Sequence, residues 1–177
     1  MNTKYELLLN VTKQSMESLL RILDKAEAHV KEKGISEDEL LHAKLYEDMM
    51  DFTKQIQISS DYARKDLAYL AGKDPVKMED NETTIAQLKE RVQKSLDVVN
   101  SFSPADFENG DTVKVSLGWM NGSYFEGKDF LDKFAVTNML FHVVTAYDIL
   151  RNKGVTIGKM DFLGEIKMHP AEPPTNA

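Results

Sequence analysis

Four long stretches of this chain set apolar residues three and four apart. That spacing decides what the chain can fold into, because such positions share one face of an α-helix. In the first stretch the stripe is Leu8, Val11, Ser15, Leu19, Ile22, Ala26 and Val30, closed by Lys-Glu-Lys-Gly34. The second runs from Tyr46 to Ala71 with Met49, Phe52, Ile56, Ser59, Ala63, Leu67 and Leu70 on one side, and it stops at Gly72 and Pro75. The third starts near Thr84, where Thr84 and Gln87 fit a capping box, and carries Ile85, Leu88, Val92, Leu96 and Val99. The fourth begins near Asp129 and ends at Gly154. Four striped helices bury their stripes against each other, so the spacing predicts an all-α four-helix bundle.

The connections carry weaker signals. Ser36 and Glu39 fit a second capping box, which predicts a short connecting helix after Gly34. Residues 73–82 read as a polar loop. After the third helix the period switches to alternation around Asn121-Gly122, a two-residue turn signal that predicts a small β-hairpin before the last long helix. A chain of 177 residues fits one domain with a real core. We place that domain at residues 1–165 and expect residues 166–177, rich in Pro and polar groups, to form a frayed tail.

Charge excludes one class of partner. The net charge of −7 argues against nucleic acid, which needs clustered Lys and Arg to displace its counterions. No apolar run approaches the roughly 20 residues that cross a bilayer, so no membrane partner is expected. The first twenty residues are interrupted by polar groups and read as a mature helix, not a signal peptide. With no cysteine there is no disulfide, thiolate nucleophile or thiolate metal site, and a cytoplasmic protein is the expectation.

The fourth helix raises the functional question. If Leu131, Phe134, Phe141 and Ile149 form its buried line, Asn138 and Thr145 fall on that line and His142 lies beside it. A buried amide or imidazole without a partner costs roughly 1–3 kcal/mol, so these groups need partners. The second helix offers Ser59, which interrupts its stripe, with Gln55 and Gln57 nearby and Gln55 nearer the buried line; Asp61 comes one turn past Gln57. A polar cluster of His142, Asn138, Gln55, Gln57, Ser59, Asp61 and Thr145 between these two helices is the expected candidate site. It reads either as a pocket for a small polar molecule, with His142 as acid/base, or as an internal network that fixes helix register.

Other groups read as bland. Glu39-x-x-His42 lacks the second such pair that a di-iron bundle requires. His29 and His42 read as surface residues and His169 as part of the tail. Glu47, Asp48, Asp61 and Asp66 read mostly as solvated face, with Asp61 the less clear case. Trp119 and Tyr124 in the hairpin cover a bundle end or a pocket mouth. There is no nucleophile elbow and no phosphate-cradling glycine loop.

The run from Asn138 through His142 into Ala-Tyr-Asp-Ile-Leu-Arg-Asn-Lys-Gly154 resembles the last helix of the DinB/YfiT-like superfamily of four-helix bundles. Four stretches, beginning at Leu19, Asp51, Asp80 and Phe141, resemble its uncharacterised bacterial branch, domain of unknown function nineteen-ninety-three. The resemblance implies a DinB-like bundle. In typical members it implies three histidines, one from the second helix and two from the fourth, that hold a divalent metal such as Ni, Zn or Mn, in some relatives to activate a small thiol. On that pattern His142 matches the second histidine of the last helix, Asn138 replaces the first, and the second-helix position falls at Gln55 or Gln57. One imidazole with two neutral amides binds a transition metal weakly, so no cofactor is firmly expected; His142 and Asn138 would be the ligands of a weakly held one.

The chain therefore admits three functional readings. The first is a degenerate pocket that binds a small polar ligand. The second is a structural or interaction homodimer, suggested by the resemblance and by Leu7, Met16, Leu20 and Leu23, which make the first helix apolar nearly all round. The third is a metal-dependent thiol transferase-like enzyme whose metal shell is completed by water or a tail residue such as His169.

Overall fold

The computed structural model describes residues 3–169. Helix α1 (Thr3–Lys33) leads through a short α2 (Asp38–Leu41) to α3 (Phe52–Leu70) and α4 (Ile85–Asn100). A 3-10 turn (Pro104–Phe107) precedes strand β1 (Lys114–Val115), a second 3-10 turn (Gly118–Met120) and strand β2 (Phe125–Glu126). Helix α5 (Gly127–Phe130) passes through a π-helical turn (Leu131–Ala135) into α6 (Val136–Asn152), and α7 (Lys159–Leu163) comes last. Of the expected tail at residues 166–177, positions 170–177 lie outside the described residues.

Four long helices form the bundle, and side-chain pairs fix their directions. Lys89 on α4 meets Asp24 and Glu27 near the far end of α1, while Tyr5 at the start of α1 stacks on Phe107 beyond the end of α4, 4.8 Å between ring centres. Those two helices are therefore antiparallel. Arg91 of α4 meets Ser60 of α3, and Lys73, just past α3, meets Asp106, just past α4, at 2.5 Å. So α3 and α4 run parallel, and the segment 71–84 between them travels back along the whole bundle. Helix α6 is antiparallel to α3, with Tyr62 opposite Phe134 and Gln55 opposite His142.

The apolar stripes fill the core as their spacing requires. Leu8, Leu19, Ile22, Ala26, Phe52, Ile56, Ala63, Leu67, Leu70 and all five stripe residues of α4 are buried. Met16 and Leu23, surplus to the α1 stripe, are also buried, because α1 packs on α4 with one side and on α6 and α7 with another. The second partner that this helix demands is thus found within the chain; of the surplus residues only Leu7 is largely exposed, at 63%.

Several boundaries differ from expectation. Helix α3 begins at Phe52 and not at Tyr46, because the Asp51 side chain accepts from the Lys54 amide at 2.9 Å and caps it there. Met49 is left outside the helix. Ser36 and Glu39 do not make a capping box; Glu37 stands at the α2 cap position and sends its carboxylate to the Ile85 amide at 2.8 Å, capping α4 instead. Thr84 accepts from the Gln87 amide at 3.2 Å as expected, but Gln87 returns its oxygen to Thr83. Asn121 and Gly122 adopt positive φ, yet they sit at the tip of a longer loop and not in a two-residue turn, since β1 and β2 pair only through Lys114–Glu126 and Val115–Phe125.

The π turn matters most. A π turn holds one residue more than an α turn, and each added residue rotates the rest of the helix by roughly 100°. The buried line therefore runs Leu131, Ala135, Met139, Val143, Ala146 and Leu150, with His142 and Ile149 beside it. Phe141, expected in the core, is 57% exposed, and Asn138 is only half-buried.

Candidate functional site

Gln55 lies one turn into α3 on the face that meets α6, and His142 lies one turn after Asn138 on α6. Their side chains meet at 2.7 Å, His142 Nδ1 to Gln55 Oε1. The Gln55 amide nitrogen donates to the Met50 carbonyl at 3.2 Å, which turns its oxygen toward the ring. Nδ1 must then carry the hydrogen, so in the neutral imidazole Nε2 holds the free lone pair. Nε2 makes no hydrogen bond to any described residue, and His142 is at the edge of burial, 9% exposed. The Tyr62 ring stacks on the imidazole at 5.8 Å, and the Phe141 ring meets it edge-on at 5.2 Å. Burial pushes the His142 pKa below its ordinary value and favours the neutral form.

The rest of the expected cluster does not assemble here. Asn138 is half-buried and makes no side-chain hydrogen bond to a described residue. Ser59 and Thr145 donate to carbonyls of their own helices, Ile56 at 3.1 Å and Phe141 at 2.7 Å. Gln57 and Asp61 lie on the other side of α3. The distinction between Gln55 and Gln57 comes from their separation: two residues are about 200° of helix, so only one of them can face α6.

Gln57 and Asp61 belong to a buried ionic network that sequence reasoning missed. Arg91, 2% exposed, donates Nε to Ser60, one terminal nitrogen to Glu82 and the Glu79 carbonyl, and the other to Asp61 at 2.5 Å and Asp80 at 2.9 Å. Gln57 donates to the second oxygen of Glu82 at 2.9 Å. Arg64, fully buried, pairs with Asp61 at 2.5 Å and donates to the Ser60 and Val76 carbonyls. Lys65 also bonds Asp61, and Lys54 bonds Asp80. Burial alone would raise the Asp61 carboxyl, but Lys65 and Arg64 outweigh it and hold the group below its ordinary value. The network ties residues 76–82 of the returning segment onto α3 and α4. Its signal was present, because Arg91 stands between Leu88 and Val92 on the buried face of α4.

The remaining candidates lie elsewhere. His42 is exposed, His29 half-buried, and His169 exposed in the last described residue. Trp119 is 62% exposed with its ring 6.3 Å from Phe134, and Tyr124 lies under the Lys114 ammonium. Asp66, expected to be solvated, is buried with neither oxygen paired. For a divalent metal the donor set does not fit. Gln55 spends its oxygen on the imidazole, Asn138 is a neutral amide, and no group of three or more His, Asp or Glu among the described residues is placed to hold one.

Comparison with known proteins agrees with this architecture. A family described as "Domain of unknown function (DUF1993)" matches residues 5–163. The crystal structure of a DinB family member protein from Shewanella denitrificans superposes with a TM-score of 0.87 at 35% identity, covering 97% of this chain and 98% of that one. No curated protein matches. No helix among the described residues is long and apolar enough to cross a membrane.

Proposed function

Because this chain belongs to the DUF1993 family and has the DinB-like bundle fold, we propose that it binds a small polar ligand at the seam of α3 and α6. The ligand would donate a hydrogen bond to His142 Nε2. The observation that carries this reading is the Gln55–His142 bond at 2.7 Å, which commits Nδ1 as donor and leaves Nε2 as an oriented, neutral acceptor on a ring that also contacts Tyr62 and Phe141. Asn138, one turn earlier with its amide uncommitted, would supply a second polar contact. Ser59, Thr145, Gln57 and Asp61 are outside the proposed site. No step in this reading passes through a metal.

A thermal-shift screen of small neutral hydrogen-bond donors tests it. Compounds that raise the melting temperature of the wild type and lose that effect in His142→Ala support it. The effect should also fade in acid, as Nε2 takes up a proton and ceases to accept. Hits that survive His142→Ala, or no hits in the wild type, refute it. Ni, Zn and Mn go into the same screen; one equivalent bound by the wild type and lost in His142→Ala would replace this reading with a metal site.

A homodimer is a second reading, favoured by one observation. Phe141 and Val144 are 57% and 43% exposed on α6, beside a shallow cavity of about 220 Å³ lined by Val144, Tyr147 and Phe162. Light scattering across micromolar concentrations tests it, and a monomer throughout removes it.

A further inference from the structure

Asp66 lies toward the C-terminal end of α3, 4% exposed, and neither of its oxygens has a hydrogen-bond partner among the described residues. It comes eleven residues after Gln55 and four after Tyr62, so it shares their stripe, about 20° from Gln55 and about 40° from Tyr62. Gln55 meets His142, and Tyr62 meets Phe134 at 5.8 Å. Helix α6 runs antiparallel, so the next turn of α3, which carries Asp66, stands toward the start of the π turn at Leu131–Ala135.

Among the described residues no cation pairs with a charge at that point. On α3, Lys65 acts against burial at Asp66 but bonds Asp61, Arg64 also pairs with Asp61, and Tyr69 brings no positive charge. Asp132 and Lys133 of the π turn are exposed. His142 of α6 is held by Gln55, Arg91 of α4 by Asp61, Asp80 and Glu82, and Tyr5 of α1 by Asp111. Asp38 and Glu39 of α2 are exposed. A carboxylate sealed from water without a donor is strongly disfavoured, so the group keeps its proton. Burial accordingly pushes Asp66 well above the ordinary carboxyl range.

We propose that Asp66 is a proton-operated latch: protonated, it lets α3 close on the π turn; ionised, it drives that turn away. The turn carries the rings that hold the hairpin. Phe134 stacks on Phe130 at 5.4 Å and contacts Phe125 at 5.8 Å and Trp119 at 6.3 Å. Opening would therefore move the hairpin with the turn. The native state binds this proton more tightly than the unfolded chain. Its stabilising effect is fully present below the unfolded carboxyl value of about 3.9 and is lost progressively as pH rises to the higher folded value.

Trp119 is the only tryptophan in the chain, so its emission reports on the hairpin and the π turn. The test compares the wild type with Asp66→Asn from about pH 5 to pH 10, reading Trp119 emission and amide hydrogen exchange over residues 127–140. One linked proton should make wild-type exchange in this segment accelerate up to about tenfold more per pH unit than in the variant. Trp119 emission should shift in the wild type alone. The same pH profile in both proteins would overturn the latch, because lysine and tyrosine titrations are common to both. Carbon-13 titration of the Asp66 carboxyl in the wild type needs no variant. It should stay protonated after the surface carboxyls have ionised, and ionisation together with them would overturn the proposal even if Asp66→Asn fails to fold.

Discussion

Replacing Arg91 with Met removes a guanidinium that is 2% exposed while keeping most of its apolar stem. Removing one partner of a buried ion pair costs about 3–5 kcal/mol, because the other partner is left desolvated and unpaired. Here the orphans are not fully abandoned. Asp61 keeps Arg64 and Lys65, Asp80 keeps Lys54 and is 40% exposed, and Glu82 keeps the Gln57 amide. The expected loss is therefore at the low end, about 3 kcal/mol. With a urea slope near the top of the usual range, about 3 kcal/mol per M, the midpoint should fall by about 1 M. Changing Glu82 to Gln in the same protein should recover part of that loss, since the most buried orphan is then neutral. The gap between wild type and variant should also narrow in acid. The Asp61 carboxyl is lowered in the fold, so its contribution is present above the unfolded carboxyl value and disappears as pH falls through the folded one. A midpoint shift below about 0.3 M at neutral pH would refute the reasoning, because it would mean that these pairs are screened as surface pairs are.

Gln55→Leu should cost about 1 kcal/mol, less than a trapped donor usually does, because the ring can move its hydrogen to Nε2; nitrogen-15 spectra should then show the tautomer shift, and an unchanged Nδ1–H form would contradict the assigned bond. Glu37→Ala should cost about 0.5–2 kcal/mol by uncapping the Ile85 amide, read as faster exchange in the first turn of α4. Gly127→Ala should be severe, at the top of the about 1–3 kcal/mol range for overpacking, because an added Cβ would fall 1.8 Å from the Gly110 carbonyl; a melting temperature equal to the wild type would show that this backbone contact is not tight.

The bundle was legible because its helices bury continuous stripes, and a stripe is a property of local spacing. The register of α6 was not. A π turn is one extra residue in a helix of ordinary composition, and no residue type announces it, so Phe141 was placed inside and came out exposed. The pairing of Gln55 with His142 was half legible, since angle alone favours Gln55 over Gln57. Asp66 reads as solvated face because charge usually marks the surface, yet it is buried, as are Arg64 and Arg91. Helix α3 is covered on two sides, by α6 and by α4 with its returning segment, and a single-stripe reading leaves the second side looking wet.

The segment from Lys73 to Glu82 has the composition of a dispensable connector, yet two buried guanidinium groups hold its carbonyls and carboxylates. It behaves as a fifth strand of packing laid along the bundle. Tags and linkers belong elsewhere: the Asn121–Gly122 tip, exposed and already left-handed, accepts an insertion that this segment would reject. A protease that ordinarily enters at the longest polar stretch would find that stretch closed until α3 and α4 themselves part.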